Sequence, residues 1–326
     1  MGLALKAKKP MKNNILITGS TGFIGSNLVH RLAGEPQNNI ILIHRDARLR
    51  AHHRMPALAS AKIINGDICH YDFIRRVIAD EEINEIYHCA ANSIVRSCST
   101  DPLSAYEINV MGTVKLLEAV RCVGMNNIKS ITISTSDKAY GHSPSPYHEE
   151  TPFTPKYTYE STKACQDIVA QNYFHNFGLP IKIVRCSNVY GPGDPNHSRI
   201  IPNTIKRLKH KLPPLLYSGV AEYVREFVYI EDVVDAFRIV NDKGIPGSAY
   251  CVGGTGGIKI LDLVKKIVEL CGSQSTVEIK DRIENFKEIK EQFIDASKLN
   301  GLGWRPKIPL DKGLKHTIDY YFSNGA

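Results

Sequence analysis

The 326-residue sequence holds no apolar run approaching the ~20 residues that a membrane-spanning helix needs. Its eight cysteines, at 69, 89, 98, 122, 165, 186, 251 and 271, include no Cys-x-x-Cys pair. Several sit inside apolar runs, as reduced core thiols do, so neither a disulfide framework nor a zinc site is expected. His52, His53 and His197 lack carboxylates or cysteines at ligand spacing and read as loop histidines, so no metal is expected. Internal repeats and low-complexity tracts are absent. The two basic clusters, 45–54 and 206–211, contain no aromatic residue, which argues against nucleic-acid binding and leaves solvated faces or a small-anion site. The basic start, 1–12, has no long apolar stretch behind it, and the protein reads as cytoplasmic.

What is present is ordinary for a globular protein: 43% hydrophobic and 23% charged residues, which excludes collagen-like and disordered classes. Lysine and arginine outnumber aspartate and glutamate by 41 to 33, a mild excess suited to an anionic partner. Short β-branched runs at 14–18, 40–44, 62–65, 85–89, 130–134 and 181–185 alternate with helical-period stretches at 23–33, 71–80, 102–123 and 157–177. That alternation predicts an α/β fold, a doubly wound parallel sheet with crossover helices. After Arg185, glycines and prolines break the rhythm. The expected division is a tail at 1–12, a large domain at 13–187 with a return segment near 227–250, and a smaller domain built from 188–226 and 251–326.

The first predicted strand runs into Gly19-Ser20-Thr21-Gly22-Phe23-Ile24-Gly25 and then into a helix. Glycines in that place let the backbone turn tightly and approach a pyrophosphate, while the helix start offers N–H groups to it, so a dinucleotide site is expected. A glycine turn without a ligand is the alternative. At the end of the second strand an NAD site usually carries an acid for the ribose hydroxyls; here His44 and Arg45 precede Asp46. Arg45, backed by Arg48, suits a 2′-phosphate, which leans toward NADP. With the arginines in solvent and Asp46 on the ribose, NAD would follow instead. Asp67, after the third strand, either meets the adenine edge or is a plain turn aspartate.

Tyr159 and Lys163 are four apart in a predicted helix, so they share a face and bring an ammonium toward a phenol whose free pKa is ~10. They follow the fifth strand, which ends in Ser134-Thr135-Ser136-Asp137-Lys138-Ala139-Tyr140-Gly141 on the same edge as the glycine turn. From 13 to 322 the chain resembles the extended short-chain dehydrogenase/reductase superfamily. The resemblance rests on TGSTGFIG (18–25), HCAANSIVRS (88–97), NVMGTVKLLEAVR (109–121), STSDKAYG (134–141), YESTK (159–163), RCSNVYGPGD (185–194), REFVYIEDVVDAF (225–237) and LGWRPKIPLDKGLKHTIDYY (302–321).

The resemblance implies a Rossmann domain at 13–187, nucleotide-sugar binding by the smaller domain, and a homodimer formed through 102–123 and 157–177. It makes Ser136, Tyr159 and Lys163 the hydride-transfer set. Gly19, Thr21, Gly22, Phe23, Ile24, Gly25, Ile68 and Ala90 join the cofactor wall, with Asn109 as a structural and relay residue. Ser93 and Arg96 are implied at the sugar, Asn188 and Arg225 at the diphosphate, and Ser198 and Arg199 near the nucleotide. An ion pair of Arg225 with Glu222 or Glu226 is the alternative.

Within the superfamily, epimerases resemble one another in carrying small residues after the serine, whereas this chain has Asp137 and Lys138, a pair resembling CDP-glucose-type 4,6-dehydratases. Water loss from a 4-keto sugar needs a base at C5 and an acid at the C6 oxygen. Lys138 is assigned the first duty and Asp137 the second. The alternative is that Asp137 caps a turn and Lys138 points to water. The expected function is a nucleotide-sugar 4,6-dehydratase, with a 4-epimerase or a non-catalytic NAD(P)-binding regulator as alternatives.

Overall fold

The computed structural model describes residues 13–45, 60–281 and 289–324. Its first strands are β1 (Asn13–Thr18), β2 (Asn38–His44), β3 (Lys62–Asn65), β4 (Glu85–His88), β5 (Ser130–Ser136) and β6 (Ile181–Cys186). Beyond them come β7 (Asn188–Tyr190), β8 (Leu215–Tyr217), β9 (Val224–Arg225), β10 (Phe227–Tyr229), β11 (Ala249–Val252), β12 (Ile258–Lys259), β13 (Glu278–Lys280) and β14 (Glu291–Gln292). A seven-stranded sheet has the order β11-β6-β5-β4-β1-β2-β3, and every pair in it is parallel. The chain runs outward from β1 through β3 and then returns to β4 on the other side. That reversal leaves a crevice beyond the carboxyl ends of β1 and β4, where such sheets bind ligands.

Helices cover both faces, which is why the strands are apolar along most of their length. Ile15 and Ile17 of β1 pack into one buried cluster with Leu28 of α1 (Phe23–Ala33) and Phe237 of α8 (Ile230–Lys243). Leu16 between them enters the opposite cluster, with Ile74 of α2 (Tyr71–Asp80) and Leu116 of α5 (Gly112–Val123). This is the two-residue alternation of a strand read out on two layers. The first cluster continues into the C-terminal part through Leu263, Trp304 and Tyr321. Trp304 is buried and donates its indole N–H to the Asp232 carbonyl at 2.9 Å.

The helix expected over 102–123 is not uniform. It consists of α4 (Pro102–Tyr106), a π turn at Glu107–Met111, and α5. Ahead of it lies the short α3 (Val95–Thr100); α6 (Thr158–Phe177) follows β5, and α7 (Ile200–Lys209) follows β7. Tyr157, expected inside α6, is its N-cap residue, and Gly178 ends the helix in the left-handed conformation at φ 70°.

A buried ion pair fastens α6 to the sheet. Arg185 in β6 donates from Nε and Nη2 to Asp167, each at 2.8 Å, and from Nη1 to the Tyr140 hydroxyl and the Glu149 carbonyl, also at 2.8 Å. Both charges are almost wholly shielded from water, with side-chain exposures of 3% and 0%. Removing one partner of such a pair strands the other charge and costs about 3–5 kcal/mol. Arg185→Met is therefore expected to lower unfolding free energy by about that amount in urea titration. Arg185→Met with Asp167→Leu should recover part of the loss; equal loss in both variants would show that the charge pair is not the cause.

Candidate active site

The glycine turn has the shape its residues predict. Gly19 sits at φ 69°, and a Cβ there would lie 2.6 Å from the Ala90 nitrogen. One on Gly25 would lie 2.2 Å from the Gly19 carbonyl oxygen, so the turn and the start of α1 tolerate no side chain at either place. Gly22 caps α1 without a side-chain hydrogen bond, and no acid lies in its first turn, so the helix start suits an anion. His44, buried at the end of β2, meets the Ser20 hydroxyl at 2.9 Å and ties that strand to the turn. Burial lowers its pKa.

From this turn a cleft of about 1070 Å³ extends along the carboxyl edge of the sheet. It brings together Gly19, Thr21, Gly22, Phe23, Ile24, Gly25, Ser136, Asp137, Lys138, Tyr159 and Lys163. Ser93, Arg96, Asn188, Ser198, Arg199 and Arg225 line it as well. Arg45, Asp67, Ile68, Ala90 and Asn109 do not.

Each of these five has a structural reason. Arg45 stands exposed beyond β2. Asp67 accepts from the Cys69 N–H at 2.9 Å, as a turn aspartate does. Ile68 is buried in the α2–α5 core. Ala90 donates its N–H to Thr18 Oγ1 at 3.2 Å, leaving its neighbours Cys89 and Ala91 on the cleft wall. Asn109, fully buried in the π turn, accepts from the Asn92 N–H at 2.7 Å and donates to the Asn92 carbonyl at 3.1 Å and Thr162 Oγ1 at 3.0 Å. Asp46, Arg48, His52 and His53 lie outside the described residues.

Asp137 opens the one-turn 3-10 segment Asp137–Tyr140 after β5. Its carboxyl is 2% exposed; Oδ1 accepts from the Ser136 hydroxyl at 3.1 Å, and Oδ2 is buried without a partner. Burial pushes its pKa up to about 6, opposed by the charges of Lys138 and Arg225 and aided by that of Glu226. Ser136, rather than Asp137, caps the segment, accepting from the Lys138 N–H at 3.2 Å. Tyr159 is driven up to about 12 by burial; the positive charge of Arg199 and a hydrogen bond with Ser136 partly offset this. Lys163 is pulled down to about 8, again by burial, and donates to the Ser134 carbonyl at 3.2 Å and to Gln166 Oε1 at 2.8 Å. Arg199, which pairs with the buried Asp194 at 3.0 Å, also bears on the phenol with its positive charge.

Arg225 makes neither ion pair considered for it. Glu222 pairs with Lys259, and Glu226 accepts the N–H groups of Thr255, Gly256 and Ile294. The guanidinium donates to the carbonyls of Val224, Ile289 and Lys290 while bordering the cleft. Tyr217, Tyr223, Asp194 and Ser187 also line the wall and are not among the residues the sequence singles out. Ser187 and Asp194 fall inside RCSNVYGPGD, a block that singled out only Asn188, whereas Tyr217 and Tyr223 lie where no local motif marks them. Among the described residues no group of three or more His, Cys, Asp or Glu side chains is placed to hold a metal, and no helix is long and apolar enough to cross a membrane. All eight cysteines are free.

A dinucleotide turn, a Ser-Tyr-Lys set and an adjoining Asp-Lys pair on one doubly wound sheet define an extended short-chain dehydrogenase/reductase of the nucleotide-sugar dehydratase class, an NAD(P)-dependent hydro-lyase. A profile of the GDP-mannose 4,6 dehydratase family matches residues 16–317, and the chain belongs to that family. A dTDP-D-glucose 4,6-dehydratase of Bos taurus is 32% identical over 324 residues, which cover 95% of this chain and 89% of that protein. A dTDP-glucose 4,6-dehydratase of Bacillus anthracis, solved in complex with NAD, has a TM-score of 0.84 at 28% identity and covers 96% of this chain and 97% of its own. A UDP-glucose 4-epimerase of Thermotoga maritima, solved with UDP-glucose, has a TM-score of 0.87 at 26% identity, with coverages of 95% and 99%.

The raised pKa of Asp137 carries a stability consequence. A carboxyl whose pKa is higher folded than unfolded favours the folded state at low pH and loses that advantage as pH rises through about 6. Asp137→Asn removes the buried charge. It should stabilise the protein by roughly 2–3 kcal/mol at pH 8, with the gain shrinking below about pH 6 and gone by about pH 3. Urea unfolding at several pH values measures this; a pH-independent difference would refute the burial of a titrating carboxyl.

Proposed function

We propose that the protein is a 4,6-dehydratase that converts a nucleoside-diphosphate hexose to its 4-keto-6-deoxy derivative. The observation that carries this reading is Asp137: a shielded carboxyl with a pKa raised to about 6 and one unpartnered oxygen, one residue from Ser136. An acid that is still part protonated near neutral pH suits delivery of a proton to a leaving hydroxyl. A 4-epimerase needs no such group. The likeness to an epimerase structure shows that the fold serves both reactions, so the discriminating features are Asp137 and Lys138.

A bound NAD(P) supplies the hydride acceptor at C4 and the hydride donor at C6, and the glycine turn with the N-terminus of α1 fits its pyrophosphate. Tyr159, with Ser136 against its phenol, takes the proton of the C4 hydroxyl. Lys138 takes the proton from C5, made acidic by the C4 ketone. Asp137 gives its proton to the C6 oxygen, and water leaves. Lys138 then returns its proton to C5, while a bound dinucleotide would give its hydride back at C6. Arg225 and Asn188 are assigned to the diphosphate, Ser93 and Arg96 to the sugar, and Ser198 and Arg199 to the nucleotide side, with 188–226 and 251–326 forming the substrate domain over 13–187.

For the dinucleotide, the leaning to NADP drawn from Arg45 and Arg48 gains no support from a neighbour solved with NAD, and NAD is the reading preferred here. For the substrate, the Asp137-Lys138 pair speaks for CDP-glucose, whereas relatives are named for dTDP-glucose. Helices α4 to α6 leave Leu103 82% and Ile168 56% exposed, with Tyr106, Met111 and Phe177 also at the surface. We assign these faces to a homodimer working in the cytoplasm.

CDP-, dTDP-, UDP- and GDP-hexoses carrying deuterium at C4 test the reaction. A dehydratase moves the label to C6 of a 4-keto-6-deoxy product, while label retained at C4 of an inverted sugar would establish an epimerase. Asp137→Asn should lower product formation at least about 100-fold, the low end of general acid catalysis, while C4 oxidation stays detectable at 340 nm. For assembly, Leu103→Glu with Ile168→Glu should convert a dimer to a monomer in sedimentation or light scattering; an unchanged mass would place the interface elsewhere.

A further inference from the structure

We propose that Gln166 is a positioning residue for Lys163: an uncharged acceptor that holds the ammonium at the floor of the cleft without neutralising it. This rests on the reading of Lys163 as part of the hydride-transfer set. Gln166 sits one turn after Lys163 in α6, is fully buried, and accepts from Lys163 Nζ at 2.8 Å.

The orientation of its amide follows from the neighbours. Thr113 donates its single hydroxyl hydrogen to the Asn109 carbonyl at 2.8 Å, so its oxygen can only accept from Gln166 Nε2 and from His88 Nε2, each at 3.0 Å. His88 then carries its proton on Nε2, and Nδ1 accepts from Thr18 Oγ1 at 2.7 Å. Burial holds His88 neutral, with its pKa lowered to about 3. Thr18 Oγ1 accepts in turn from the Ala90 N–H beside the glycine turn. Flipping the Gln166 amide would set its N–H against Lys163 and its oxygen against a threonine with no hydrogen left to give. The network therefore fixes Oε1 toward the ammonium.

The groups facing Lys163 supply no free counter-charge. Cys89 just after β4, Cys98 in α3 and Cys186 at the end of β6 are thiols whose pKa values burial raises, and His88 is neutral. Asp167 on α6 is already held on both oxygens by Arg185. A carboxylate in place of Gln166 would pair with the ammonium, raise its pKa and damp its field at the phenol. A side chain with no acceptor would let it swing away.

Gln166→Glu and Gln166→Met separate the two effects. Competitive acetylation with acetic anhydride across pH, read by mass spectrometry on the Lys163 peptide, follows the titration of this amine without any turnover. Wild type should show a midpoint near 8, and Gln166→Glu one higher by at least about one pH unit. Gln166→Met should lower kcat about tenfold or more while KM stays within about twofold, and Gln166→Glu, which keeps the acceptor, should recover kcat when assayed above pH 8. An unchanged midpoint in Gln166→Glu, or wild-type kcat in Gln166→Met, would overturn the proposal. If Gln166→Met does not fold, the acetylation midpoint of Gln166→Glu decides alone. If wild type turns over no nucleotide sugar, the dehydratase reading fails by itself, since the acetylation midpoints are still read.

Discussion

Removal from water governs the chemistry of this cleft. Charged forms are penalised where the sheet edge is roofed over, and the effect on each group depends on which form carries the charge. Asp137 rises toward neutrality and keeps its proton longer, Lys163 falls and gives one up sooner, and Tyr159 rises away from the working range. A phenol so placed needs positive charge nearby to act as a base. Arg199 and Lys163 are the cations the fold offers, one from the loop before α7 and one from its own helix. The same shielding that equips the acid therefore creates the need for the cations.

The fold answers with fixed supports rather than with adjustable surface charges. Arg185 and Asp167 lock α6 to β6 and reach the Tyr140 hydroxyl, so the segment carrying Asp137 and Lys138 is braced from behind. Glu226 gathers three backbone N–H groups and so joins the glycine-rich stretch near 255 to the segment at 294, while its neighbour Arg225 holds the carbonyls at 289 and 290. Two adjacent residues of opposite charge thus organise one wall of the cleft through the backbone.

The glycine turn and the Tyr159–Lys163 spacing were legible because each is local: a few consecutive residues determine the geometry. The sheet was legible from its β-branched runs, and its seventh strand, β11, fell near the end of the expected return segment. What escaped notice is set by contacts distant in sequence. Gln166 meets Thr113 across 53 positions, and Thr18 meets His88 across 70, so no window of sequence shows that these side chains converge. The sequence left Asp67 open between an adenine contact and a turn aspartate, and its Oδ1 meets the Cys69 N–H; Asn109, structural by resemblance, spends its side chain on Asn92 and Thr162. A motif fixes where a residue lies along the chain; packing decides what its polar atoms meet.

The π turn at Glu107–Met111 has a geometric corollary. One extra residue within a helix offsets everything after it by roughly 100° of rotation, the angle per residue at 3.6 per turn. Upstream, Leu103 and Tyr106 look outward; downstream, Thr113, Leu116 and Leu117 turn into the protein. The inserted residue thus acts as a phase shifter between a surface half and an interior half of one continuous rod. Straightening it by a single deletion would leave both halves helical but aim one of them at the wrong surroundings.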